Sequence, residues 1–126
     1  MGTVKFGWAE NKFVFTKPVS LRGQFAERIS EYEEKPLTVT ALAVESGDAQ
    51  MVLCSADLLF VSDNLLNEVR RRLENNSLGL RVESVILSAT HIHTGPGHTG
   101  FGVTKASAYA KGTGWGGQRK IGRAHV

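Results

Sequence analysis

Between Leu37 and Thr90 the apolar positions change period twice, from two to about 3.6 and back, which predicts two strands, a helix and a strand. Leu37-Thr38-Val39-Thr40-Ala41-Leu42-Ala43-Val44 is dense in β-branched residues, which fit a pleated surface. Glu45-Ser46-Gly47-Asp48-Ala49 has turn composition, and Gln50 to Leu58 reads as the returning strand of an antiparallel hairpin. Leu65, Leu66, Val69 and Leu73 then recur at helical spacing, with Asn64, Glu68, Arg71 and Glu74 on other faces. Ser62 is the expected N-cap, and Asp63 places an acid in the first turn, where the helix dipole favours it. Asn75-Asn76-Ser77 ends the helix, Gly79 lies in the connection, and Arg81 to Thr90 reads as the third strand. A strand, a helix and a strand in that order predict a right-handed βαβ unit.

Upstream the pattern is less regular. Phe6, Trp8, Phe13 and Phe15 alternate in places with polar residues, favouring short strands up to about Phe15. Lys17-Pro18 is a break, because proline pushes the residue before it out of helical geometry. Val19 to Gln24 reads as an extended segment ending in a glycine turn, and the polar stretch from Phe25 to Lys35 as a loop or a weak helix. The expected fold class is α/β (mixed α+β), a β-hairpin followed by a β-α-β unit.

Composition narrows the functional classes. The 126 residues are enough for one modest domain, and 41% hydrophobic with 21% charged residues is ordinary globular composition. No apolar run approaches the roughly 18 residues that a membrane-spanning helix needs. Met1 to Trp8 has no basic segment followed by an apolar stretch, so no export signal is expected there, and Phe6 stands where a myristoylation signal wants Ser or Thr. The single cysteine, Cys54, allows no internal disulfide and reads as a small buried hydrophobe within an apolar run. The net charge of +3 is a property of the tail: ten Lys or Arg against twelve Asp or Glu leave residues 1–100 at −2, while residues 101–126 carry five cations and no acid. Arg70-Arg71-Arg72, the one tight basic cluster, points in three directions on a helix. No nucleic-acid partner is expected.

In βαβ units ligands gather at the carboxyl ends of the strands. Asp57 ends one predicted strand, and His91 ends the next. If His91 and His93 continue their strand, they point to one face, where two imidazoles suit a zinc ion. Thr94-Gly95-Pro96-Gly97 then forces a turn that exposes backbone amides beside the histidines, with Gly95 a candidate substrate contact. Asp57 is placed to orient an imidazole through its second N–H. By pattern alone, a His-x-His pair at a strand end is more often a solvated pair than a site. His98, in a Gly-rich loop, is a weaker candidate still.

The segment Ser88-Ala89-Thr90-His91-Ile92-His93-Thr94-Gly95-Pro96-Gly97 resembles the Ala-Thr-His-Thr-His-Ser-Gly-Pro segment of the neutral/alkaline ceramidases, with Ile92 and Thr94 in place of threonine and serine. Pro36-Leu37-Thr38-Val39-Thr40-Ala41-Leu42 and Cys54-Ser55-Ala56-Asp57-Leu58 lie upstream in the order that family shows, and Pro18 to Gly23 resembles its early turn more loosely. The resemblance spans about Gly7 to Gly97 and implies a zinc-dependent hydrolase of N-acylsphingosine, cleaved to a fatty acid and a sphingoid base. It makes His91 a zinc ligand and His93 the group that contacts the reacting amide or its oxyanion. It also implies a lipid amide substrate, and export of many members. Zinc in such a site lowers the pKa of bound water and polarises the amide carbonyl.

The family completes its zinc site with another histidine, a glutamate and a tyrosine far downstream. Residues 1–100 are therefore expected to be an N-terminal piece of a ceramidase-like catalytic domain, inactive alone. Residues 101–126 read as a Gly-rich, basic, disordered tail. Its end, Ile121-Gly122-Arg123-Ala124-His125-Val126, resembles one translated frame of a sequencing adapter, so His125 enters no ligand count. The alternatives are a non-catalytic binding domain of the same fold and a hydrolase acting on a non-ceramide substrate.

Overall fold

The alternating apolar positions of the first half assemble into one four-stranded sheet, seen in a computed structural model that describes residues 2–25, 28–97 and 119–120. Strand β1 (Val4–Phe13) pairs antiparallel with β4 (Leu37–Ser46) along its whole length, from Val4 opposite Ser46 to Phe13 opposite Leu37. β4 forms the expected hairpin with β5 (Ala49–Ala56) across a tight turn in which Gly47 takes φ 55°, open to glycine at little cost. β5 pairs in parallel with β6 (Val85–Ala89), and the crossover between them carries helix α1 (Asp63–Leu73). The sheet order is β1-β4-β5-β6, a hairpin extended by a βαβ unit. Two short strands, β2 (Ser20–Leu21) and β3 (Arg28–Ile29), pair antiparallel, and β7 (Arg119–Lys120) lies parallel to β3.

Several boundaries moved for physical reasons. The irregular start forms one ten-residue strand, because β4 offers a full-length partner. Residues 28–29 of the polar stretch form β3, and the described residues of that stretch contain no helix. The third predicted strand begins four residues late: Val82–Ser84 is a 3-10 turn, closed by the Ser84 N–H on the Arg81 carbonyl, and pairing starts only where Val52 meets Val85. The tail beyond Gly97 lies outside the described residues except for β7.

The helix ends are as the residue types dictate. The Ser62 hydroxyl accepts from the Leu65 N–H at 3.2 Å. At the other end Asn75 takes φ 58°, and Asn76 closes the loop with its whole amide: Nδ2 donates to the Leu73 and Leu80 carbonyls, while Oδ1 accepts from the Leu78 and Leu80 N–H groups. Exposed Glu68 bridges Arg71 and Arg72 at 2.8 Å, and those two guanidinium groups hold its carboxyl down at about 2.

Among the described residues the sheet is covered on one side only. Val85, 1% exposed, lies on the side where α1 packs against β6. On the other side the register sets Phe6, Trp8, Leu42, Met51, Leu53 and Ile86 across four strands, and all six are exposed, Trp8 by 79%. The deepest side chain outside the helix contact is Leu37, 2% exposed. Leu37→Ala should lower unfolding free energy by about 3 kcal/mol in urea denaturation, through lost transfer energy and the cavity left behind. A change under about 1 kcal/mol would show that Leu37 is not a core residue.

Candidate functional site

Parallel β5 and β6 end side by side, Ala56 opposite Ala89, and their extensions stay in register: the Thr90 N–H donates to the Ala56 carbonyl at 2.9 Å and the Ile92 N–H to the Leu58 carbonyl at 3.1 Å. His91 does not continue the pleat. It takes φ 62°, a left-handed conformation uncommon for a residue with a side chain. The two imidazoles therefore meet through a turn rather than through strand alternation, with ring centroids 5.1 Å apart and planes at 83°. Residues held in such backbone regions cluster at functional sites, where surrounding contacts over-determine them.

Each ring is held by a backbone carbonyl. His91 Nδ1 lies 2.8 Å from the Leu59 oxygen, and His93 Nδ1 lies 2.8 Å from the Gly23 oxygen. A carbonyl can only accept, so Nδ1 is the donor in both rings, and in the neutral imidazole the Nε2 lone pair is left free. That is the tautomer a metal ion, or a substrate group that carries a proton, requires.

The loop that carries His93 is stitched to the strand β2 region. The Arg22 N–H donates to the Gly95 carbonyl at 2.9 Å, the Gly97 N–H donates to the Ser20 carbonyl at 3.2 Å, and Leu21 bridges Pro96. Gly23 takes φ 105°, and a Cβ there would stand 2.5 Å from the His93 ring. Gly95 is buried; a Cβ on it would come within 3.0 Å of the Asp57 carbonyl oxygen. Glycine at these two positions lets the turn sit directly on its supports. Arg28, 6% exposed, spreads one Nη2 group over two segments, donating to the Arg22 carbonyl at 2.7 Å and to the His93 carbonyl. Burial lowers its pKa from the usual guanidinium value.

Asp57, 5% exposed, acts on backbone and hydroxyl groups. Its Oδ2 accepts from the Thr38 N–H at 2.8 Å and the Thr38 hydroxyl at 3.0 Å, and its Oδ1 accepts from the Thr90 hydroxyl at 3.0 Å. The carboxylate thus fixes the residue before His91, while the imidazole N–H that it was expected to hold is taken by Leu59. The structure brings together His91, His93, Gly95 and Asp57. It adds Gly23, Arg28, Thr38, the Leu59 carbonyl and Thr90; Gly23 had a signal as the glycine of a turn, and Thr38 and Thr90 only as members of the segments that carry the resemblance. Cys54 lies apart, a free thiol whose pKa is raised by burial. Among the described residues no three His, Cys, Asp or Glu side chains converge to hold a metal, and His98 and His125 lie outside those residues.

No protein-family model matches the chain, and no curated protein matches it. Solved structures do. Neutral ceramidase from Pseudomonas aeruginosa superimposes with a TM-score of 0.68 at 24% identity over 75% of this chain. A ceramidase complexed with C2 gives 0.65 at 23% identity over 75% of this chain. The chain spans 16% and 15% of the lengths of those two proteins. It has the fold of part of a neutral ceramidase, mixed α+β as its residue pattern predicts.

Proposed function

We propose that this chain belongs to a zinc-dependent amide hydrolase, with His91 as a metal ligand and His93 as the contact to the reacting amide or its oxyanion. The observation that carries the reading is the pair of neighbouring imidazoles, each with Nδ1 donated to a carbonyl and Nε2 left free. The donor set fits zinc in part: catalytic zinc takes three protein ligands. The remaining ligands are proposed to come from other parts of a longer protein, since this chain spans 16% of the P. aeruginosa enzyme.

When bound, zinc supplies a Lewis acid to the amide carbonyl and lowers the pKa of water. The residues of this chain do the placing. The Leu59 carbonyl sets the His91 tautomer, and Asp57, through Thr90, fixes the peptide ahead of it. The Gly23 carbonyl does for His93 what Leu59 does for His91, so that its Nε2 is presented to substrate. Gly95 packs the turn against Asp57 and Leu58, next to the position proposed for the substrate. The substrate is proposed to be a lipid amide of the N-acylsphingosine type, by likeness to the ceramidases of the same fold.

Metal analysis of the longer protein, with release of fatty acid from N-acylsphingosine, tests the reading. Stoichiometric zinc and hydrolysis that stops with chelator are the expected results. A protein that binds no zinc and cleaves no amide would sink the proposal. Zinc with cleavage of a different amide would keep the chemistry and reassign the substrate.

A further inference from the structure

We infer that Arg28 is a positioning residue for His93: by joining the Arg22 and His93 carbonyls it keeps the Gly23 carbonyl seated on His93 Nδ1, and so keeps Nε2 unprotonated. The inference rests on the proposed role of His93, but its geometry stands apart from zinc and from substrate. Arg28 is buried, which for a cation is costly unless it is paired. Among the described residues no carboxylate lies within ion-pair distance of it, and its Nε has no hydrogen-bond partner. A buried guanidinium with no counter-charge contributes little to stability, so its two carbonyl contacts are the feature that needs a reason.

Those contacts have one. The Nη2 amino group has two N–H bonds, and it gives one to each segment: the end of β2 at Arg22 and the histidine turn at His93. Between the two anchor points lies the contact that fixes the His93 ring, Gly23 carbonyl to Nδ1 at 2.8 Å. Arg28 itself is placed by β3, where it stands opposite Leu21. Losing the guanidinium removes its link between the Arg22 and His93 carbonyls, while the Arg22 N–H stays on the Gly95 carbonyl and Leu21 on Pro96, so the two segments remain together and the Gly23 carbonyl loses the support that faces it to the ring. His91 is held independently, by Leu59, and so provides an internal reference.

The test is the imidazole tautomer, read from the two ring 15N shifts of each histidine in the full chain, at a pH where both rings are neutral. Wild type should show His91 and His93 each with a protonated Nδ1 and a bare Nε2. Arg28→Met, which keeps the length of the stem and removes the donors, should shift His93 to a mixture of tautomers and leave His91 unchanged. Arg28→Lys, which keeps a cation and N–H donors in place, should return His93 towards the wild-type signature. A His93 that stays Nδ1-protonated in Arg28→Met overturns the inference. So does a Met variant in which both histidines lose their signatures together, or one that does not fold, because either result assigns Arg28 to the fold alone. Neither readout depends on hydrolysis, so a failure of the zinc reading and a failure of this one are told apart.

Discussion

In the zinc hydrolase proposed above, replacing His91 with alanine should lower amide hydrolysis by about 10³-fold or more, with zinc lost in proportion. A metal that polarises a carbonyl contributes several kcal/mol to transition-state stabilisation, and each 1.4 kcal/mol is about tenfold in rate. His91 is exposed, so the truncation removes a ring nitrogen without opening the core. The conformational balance even improves a little for folding if glycine replaces it instead, because position 91 has φ 62°. His91→Gly is thus the cleaner partner variant: it should stay folded and, on the proposed role of His91, bind no metal. His93→Ala should differ in kind, lowering kcat by about 10²- to 10⁴-fold while zinc content stays unchanged, as loss of a positioned proton acceptor at the reacting amide does. Unchanged zinc content and rate in His91→Ala would remove the claim that it is a ligand. Equal zinc loss in both variants would make them two ligands of one ion.

Asp57→Ala should cost about 3–4 kcal/mol of folding stability, measured by urea denaturation. The carboxylate accepts three hydrogen bonds at 2.8 to 3.0 Å in a site that is 5% exposed. Alanine leaves the Thr38 N–H and hydroxyl without their acceptor and the Thr90 hydroxyl with only the Ala56 carbonyl at 3.4 Å, and an unsatisfied buried group costs about 1–3 kcal/mol. Asp57→Asn keeps an oxygen for one side of the contact and should cost about half as much, which separates hydrogen-bond loss from loss of volume. Because Oδ1 holds Thr90, both variants should also loosen His91, seen as faster amide exchange at Ile92. A loss below about 1 kcal/mol in Asp57→Ala would mean that water replaces the carboxylate and that Asp57 is not a keystone of this turn.

The hairpin, the helix and the parallel strand after it were legible because burial on one side writes its period into the sequence: Leu65, Leu66, Val69 and Leu73 in the helix, the β-branched run from Leu37 in the strand. The N-cap was legible because a hydroxyl before an acid at a helix start has a single local explanation. The length of β1 was not, since it depends on β4 being ten residues long, a partner 24 to 42 positions away (Phe13 opposite Leu37, Val4 opposite Ser46). The chemistry divides the same way. His91 and His93 announce themselves by residue type and by the glycines that follow. What seats them does not: the Leu59 and Gly23 carbonyls belong to the backbone, which every residue has. Arg28 lies in a stretch whose polarity resembles that of any loop, and its contacts span six and 65 residues. Asp57 was singled out in the sequence as a partner for an imidazole, but the groups it holds, on Thr38 and Thr90, looked like those of ordinary strand threonines.

The side of the sheet that no described residue covers bears on how this polypeptide can be handled. Phe6, Trp8, Leu42, Met51, Leu53 and Ile86 form a continuous apolar surface of the kind that captures chaperones during synthesis and drives precipitation from a concentrated solution. Yield of the isolated chain should therefore be limited by colloidal behaviour rather than by its fold. The remedy lies far from the chemistry: polar replacements at Trp8 and Ile86, on the two edge strands, should raise soluble recovery and leave both histidines where they are.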